Sequence, residues 1–177
     1  ITIVTVNLLT DAAEAGIGGH LCPGDSIQIG ADTIAGYTYQ WNPPLDLSDP
    51  TSSQPFASPT EKTQYFLTIL NADNCEDIDS VLITVFGIEA FPDTTICADD
   101  SVQVSVIGGS SFSWSPTVGV SDPSSSNPYI TAGFAETYTV TADDGMGCED
   151  TAIVNLSALA GPTAMFDVVI SQSCLGD

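Results

Sequence analysis

Apolar and polar residues alternate with period two in several short stretches of the chain: 26–29, 37–41, 64–69 and 80–85, then 101–106 and 137–141. Successive side chains of a strand point to opposite faces, so this rhythm predicts half-buried β-strands. Between them lie clusters of Pro, Gly, Asn, Asp and Ser, such as the DPTSSQP run from Asp49 and the DPSSSNP run from Asp122, which read as turns. No stretch carries a helical period. The pattern predicts an all-β chain of two-layered antiparallel sandwiches.

The same landmarks recur. Cys22-Pro23-Gly24-Asp25-Ser26-Ile27-Gln28-Ile29 is echoed by Cys97-Ala98-Asp99-Asp100-Ser101-Val102-Gln103-Val104, starting 75 residues later. Trp41-Asn42-Pro43 matches Trp114-Ser115-Pro116, Ser48-Asp49-Pro50 matches Ser121-Asp122-Pro123, Tyr65 matches Tyr138, and Cys75-Glu76-Asp77 matches Cys148-Glu149-Asp150, all at an offset of 73. One register holding so many landmarks means internal repetition. Expected boundaries are 9–87 for the first unit and 88–160 for the second. Residues 1–8 read as the last strand of a preceding repeat, or a strand donated to a neighbouring subunit. Residues 161–177 read as the opening of a following one, so that Cys174 finds its partner downstream.

A cysteine before an early strand, a tryptophan about 20 residues on and a second cysteine before the last strand follow immunoglobulin-like logic. On that logic the fold class is all-β, two tandem immunoglobulin-like antiparallel sandwiches with one disulfide each. Cys22 is expected to pair with Cys75, and Cys97 with Cys148. Each bridge would close a loop of roughly 50 residues, worth about 4 kcal/mol in the chain-entropy model. The alternative is two reduced core cysteines per unit. Trp41 and Trp114 are expected in the cores, near the bridges.

Composition narrows the function. Hydrophobic residues make up 43% of the 177, enough for real cores. Against 23 acidic residues stands one lysine, Lys62, giving a net charge of -22. Phosphate backbones and anionic membranes would repel such a chain, which argues against nucleic-acid partners and membrane insertion. Salt or calcium is its natural screen. None of the five cysteines lies in a C-x-x-C pair, so zinc is not expected.

The motifs C-x-[GD]-D-S-[IV]-Q-[IV], W-[NS]-P, [LV]-S-D-P, Y-x-[LV]-T and [NG]-C-E-D together resemble the Ig-like and PKD-like tandem repeats of surface adhesins and gliding-associated proteins of Bacteroidota, commonly exported by type IX secretion. The stretch from Gly161 to Asp167 resembles the start of a PKD-type repeat. The resemblance implies a secreted, cell-surface location and a filament, stalk or adhesive role. Its partners would be neighbouring repeats or subunits of the same filament, or a surface glycan or protein. A second expectation is a carbohydrate- or calcium-dependent binding module appended to a secreted enzyme.

Candidate chemistry is sparse. His20 is the lone histidine and lies in a glycine-rich stretch without a strand signal, so no catalytic residue is assigned and no enzyme activity is expected. Asp73, Asp77, Asp143, Asp144, Glu149 and Asp150 crowd two equivalent turns, and clustered hard oxygens suit calcium, although neither turn has EF-hand spacing. No other cofactor is expected. Asp-Ser and Asp-Thr steps place Ser26, Thr33, Ser80, Thr94, Ser101 and Thr151 in a pattern that resembles the O-glycosylation acceptor of exported Bacteroidota proteins.

Overall fold

The computed structural model describes residues 12–133 and 137–159. Residues 1–8 and 161–177, with Cys174, lie outside them, as do the readings attached to those segments. The first half forms β1 (Gly19–Leu21), β2 (Ile27–Gln28), β3 (Thr38–Asn42), β4 (Phe56–Ala57), β5 (Thr63–Leu70) and β6 (Glu76–Val85). The second forms β7 (Glu89–Phe91), β8 (Thr94–Cys97), β9 (Ser101–Gln103), β10 (Ser105–Ile107), β11 (Ser111–Ser115), β12 (Tyr129–Thr131), β13 (Thr137–Asp143) and β14 (Glu149–Leu159).

Both halves solve the packing problem alike. The main sheet runs β1-β6-β5-β3 in the first and β8-β14-β13-β11 in the second. Short pairs complete the other layer: β2-β4 in the first half, β9-β12 and β7-β10 in the second. In β5 the alternation sends Tyr65, Leu67 and Ile69 inward and leaves Phe66 exposed. These residues join Trp41, Val81 and Ile83 from the same sheet and Ile29 and Ala57 from the other layer in one cluster. Trp114, Tyr138, Val140, Val154, Val104 and Ile130 make the equivalent second cluster. Two Ig-like sandwiches therefore stand in tandem, as the pattern predicted.

The tryptophans are the cores' largest members. Trp41 and Trp114 are 0% and 1% exposed. Each indole N–H donates to a carbonyl eleven residues on, Ser52 and Ser125, at 2.9 Å in both units. Each backbone N–H also reaches a proline carbonyl, Pro50 or Pro123, so the Pro-Ser loop is tied to the strand twice. The loop passes so close that a Cβ on Gly30, which has a φ of 85°, would collide with the Ser53 carbonyl.

One element departs from the antiparallel expectation. The edge strand β1 pairs with β6 in parallel, Leu21 opposite Val85, and β8 pairs with β14 in parallel, Cys97 opposite Leu159. The glycine-rich stretch holding His20 is thus a strand. Gly18-Gly19-His20-Leu21 has neither β-branched residues nor alternation; it is recruited by an open sheet edge rather than by propensity.

Replacing Trp41 or Trp114 by alanine is expected to destabilise its own unit by about 3–5 kcal/mol. Trp41→Phe keeps most of the packing, loses the N–H bond to Ser52 and costs less. Urea unfolding of the single variants, compared by midpoint at constant slope, checks both.

Candidate functional site

The parallel register decides where the cysteines lie. Cys22 follows Leu21, opposite the end of β6, and Phe86 N–H donates to the Leu21 carbonyl at 2.9 Å. Cys75 immediately precedes the first residue of β6, a ten-residue strand. At about 3.3 Å per residue the two are on the order of 30 Å apart, against the 4–7 Å between Cα atoms that a disulfide requires. Cys97 and Cys148 are separated in the same way by the eleven residues of β14.

The expected pairings within each unit are therefore corrected. The sulfur bridge joins Cys22 to Cys148, across 126 residues, with Cα atoms 4.9 Å apart. Cys75 is a half-buried free thiol and Cys97 an exposed one. The far end of the first sheet meets the near end of the second, and Cys22 packs against the second core while Cys148 belongs to it. Phe86 and Ile88, from the connecting segment, are buried in the same core.

Cys148 is presented by a tight hairpin between β13 and β14. Asp144 Oδ1 accepts the N–H groups of Met146 at 2.7 Å and Cys148 at 3.0 Å, and Asp144 N–H donates to the Cys148 carbonyl at 3.1 Å. Its second oxygen, Oδ2, lies 2.9 Å from His20 Nε2, while Nδ1 of the ring lies 3.2 Å from the Thr84 hydroxyl. His20 sits two residues before Cys22, so a histidine–carboxylate latch and the covalent bridge stand side by side at the junction. The Asp144 side chain is 6% exposed. Burial pushes its carboxyl upward, but the Met146 and Cys148 N–H groups, with the bond and charge of His20, outweigh it and hold it below the usual range.

The first unit builds the same hairpin with an amide. Asn71 Oδ1 accepts from Asp73 and Cys75 N–H, both at 2.9 Å. Asn74, at a φ of 58°, occupies the left-handed position that Gly147 fills in the second unit. Both residues support a positive φ at that position, and the bond from the N–H of Asn71 or Asp144 to the cysteine carbonyl is kept in both hairpins.

The acidic residues considered for calcium divide into separate tasks. Asp77 Oδ2 accepts the N–H groups of Ala12 and Ala13 at 2.9 Å each, and Asp150 Oδ2 accepts that of Ile88 at 3.0 Å. The Ala13 N–H and, more weakly, those of Ala12 and Ile78 hold the Asp77 carboxyl below its ordinary value against the upward push of burial. Asp143 Oδ1 accepts from Gly145 N–H, and Asp73 and Glu149 are exposed. Among the described residues, the potential ligand atoms that converge are those of His20, Asp144 and Cys148, and that sulfur is already in the bridge. The six carboxylates are not brought into one group.

Of the hydroxyls in the glycosylation pattern, Ser26, Thr33, Ser101 and Thr151 are exposed, and Ser80 and Thr94 are half-buried. Thr33 and Ser101 hydrogen-bond across to Ser53 and Thr131 at 2.8 Å.

No protein-family model matches the chain, and no curated protein is significantly similar to it. Similar solved structures include tandem immunoglobulin domains and extracellular cadherin domains. The two-domain DIP-gamma IG1+IG2 has 10% identity and a TM-score of 0.42, covering 82% of this chain and 96% of its own. The insect immune protein hemolin has 14% identity and a TM-score of 0.40, covering 84% of this chain and 46% of its own. Human desmocollin-1 ectodomain has 8% identity and a TM-score of 0.43, covering 89% and 39%.

Two measurements check the junction. Digestion at acidic residues without reduction is expected to release a Cys22–Cys148 linked peptide and no Cys22–Cys75 peptide. Asp144→Asn keeps the hairpin acceptor, as Asn71 does, and replaces the charged oxygen facing His20 by a neutral amide NH2. A carboxyl depressed by folding adds stability that is complete above its unfolded value near 3.9 and vanishes as pH falls through its lower folded value. Thermal melts should therefore show the parent more stable than Asp144→Asn at neutral pH, with the gap closing below about pH 4.

Proposed function

We propose that the chain is a non-catalytic structural repeat of an extracellular filament, stalk or adhesin at a bacterial cell surface, with units bounded at 9–87 and 88–160. The observation that carries this reading is the Cys22–Cys148 bridge between consecutive units. A single connecting segment lets two domains rotate about it; a second covalent tie, flanked by the His20–Asp144 contact, removes that freedom. Neighbours in an array become a stiff rod that transmits load. Disulfides persist in oxidising compartments, which supports a location outside the cytoplasm. One lysine and no arginine leave a single site for trypsin-like proteases, and the net charge of -22 keeps neighbouring rods apart. A glycan or protein ligand belongs to this reading as the adhesive target, displayed at a distance from the cell.

Immunogold labelling with an antibody against the chain, on cells that produce it, is expected to decorate fibres or a surface layer. Labelling confined to the cytoplasm, or to a free secreted enzyme, overturns the reading.

A further inference from the structure

Each unit presents two half-sites for a bridge, and the described bond uses one from each. Cys22 follows the parallel edge strand of the first unit, and Cys97 closes that of the second. Both start the same turn: Asp25 N–H donates to the Cys22 carbonyl at 3.1 Å, and Asp100 N–H to the Cys97 carbonyl at 3.2 Å. The left-handed position of this turn is Gly24 in one and Asp99 in the other, at φ 86° and 67°. Cys75 stands in the hairpin equivalent to that of Cys148, with the same Asx acceptor two bonds deep. The strand registers put Cys75 at the end of the first unit away from Cys22, and Cys97 at the end of the second unit away from Cys148.

We infer that Cys97 and Cys75 are the two outer halves of the same junction, and that each forms a disulfide with a further copy of this repeat: Cys97 with the Cys75-type cysteine of the next unit, Cys75 with the Cys97-type cysteine of the one before. The inference rests on the structural-array reading and names its partner. The observed Cys22–Cys148 bond shows that these two turns can reach bonding distance when units meet end to end. The two half-sites differ, so the contact is head-to-tail and each copy keeps one half-site of each kind for the next. In each bond two S–H groups are lost, one S–S bond forms between the chains, the S–S bond of the oxidant breaks, and the electron pair with the two protons ends on its two thiols; oxidised glutathione serves in the test.

The test uses the whole chain carrying Cys174→Ser, incubated with oxidised glutathione at increasing protein concentration. The expected result is a ladder of multimers on non-reducing gels, collapsed to monomer by reductant, whose digests contain the Cys75–Cys97 peptide. Adding Cys75→Ser or Cys97→Ser should leave each variant monomeric on its own, and mixing the two variants should give the Cys75–Cys97 dimer in preference to either like pair. Persistent free thiols, or a statistical mixture of like and unlike pairs, overturns the inference. In protein taken from cells, an unchanged mass after reduction places the bond between units of one polypeptide; a fall to single chains places it between polypeptides. Surface immunogold labelling is indifferent to all these outcomes, so the array reading stands or falls separately.

Discussion

A sulfur bond that ties one sandwich to the next, instead of clamping each shut, is the constraint on which this molecule turns. It follows from the parallel edge strand: once β1 runs alongside the end of β6, the cysteine after β1 and the cysteine before β6 lie at opposite ends of the sheet. Closing a 126-residue loop restrains the unfolded chain by about 5 kcal/mol in the entropy model, a restraint shared by both units. Neither unit has a bridge of its own, so each relies on its core. That explains why the indole N–H groups, the phenol hydroxyls of Tyr65 and Tyr138, and the inward loops are all tied off: the tyrosines donate to the Leu45 and Val118 carbonyls, each twenty residues upstream.

The charge balance shapes the rest. With one lysine against 23 acids, carboxylates cannot find cationic partners, and they turn to backbone N–H groups. Asp77, Asp79, Asp150 and Asp93 each accept from the backbone of a segment more than sixty residues away, pinning segments side by side where no salt bridge is available. Asp49 and Asp122 close the Pro-Ser loops by accepting from Thr51 and Ser124. The hydroxyl and N–H donors of those residues hold both carboxyls below their ordinary values, as the Asn155 donors hold Asp93. Bonds of this kind favour the ionised form, so the same contacts that order the loops preserve the net negative charge.

How much of this was legible in the sequence depended on which signal carried it. The repeat, the central strands and both tryptophans follow from alternation and spacing, because burial of one sheet face imposes period two directly. The cysteine pairing did not follow. Two cysteines per unit at fixed spacing describe bonding within a unit and bonding between neighbours equally well, and only the position of the edge strand separates them. That strand is short and glycine-rich at Gly18 and Gly19, held by an open sheet edge and by the meeting of His20 with Thr84 and Asp144. His20, read as a residue without a scaffold, is therefore fixed on a strand. The acidic turns illustrate the converse: their composition suggested calcium, while their hydrogen bonds spend the carboxylates on hairpins and latches.

The junction itself separates into what repeats and what does not. The turn that each Cys22-type cysteine starts is closed by the same backbone hydrogen bond in both units, and so is the hairpin that ends on each Cys75-type cysteine, where the N–H four residues upstream donates to the cysteine carbonyl. The latch differs: where the internal junction has His20 and Asp144, the equivalent outer positions have Thr95 and Asn71, neutral residues that cannot form an ion pair. Asn71 retains the acceptor that shapes the hairpin and loses the charge that engages the imidazole. Acid sensitivity at this carboxylate thus belongs to the internal junction alone, while the thiol geometry is common to both ends. A residue that varies between equivalent junctions tunes a contact; the sulfur half-sites, present at every junction the chain can form, are what make the contact.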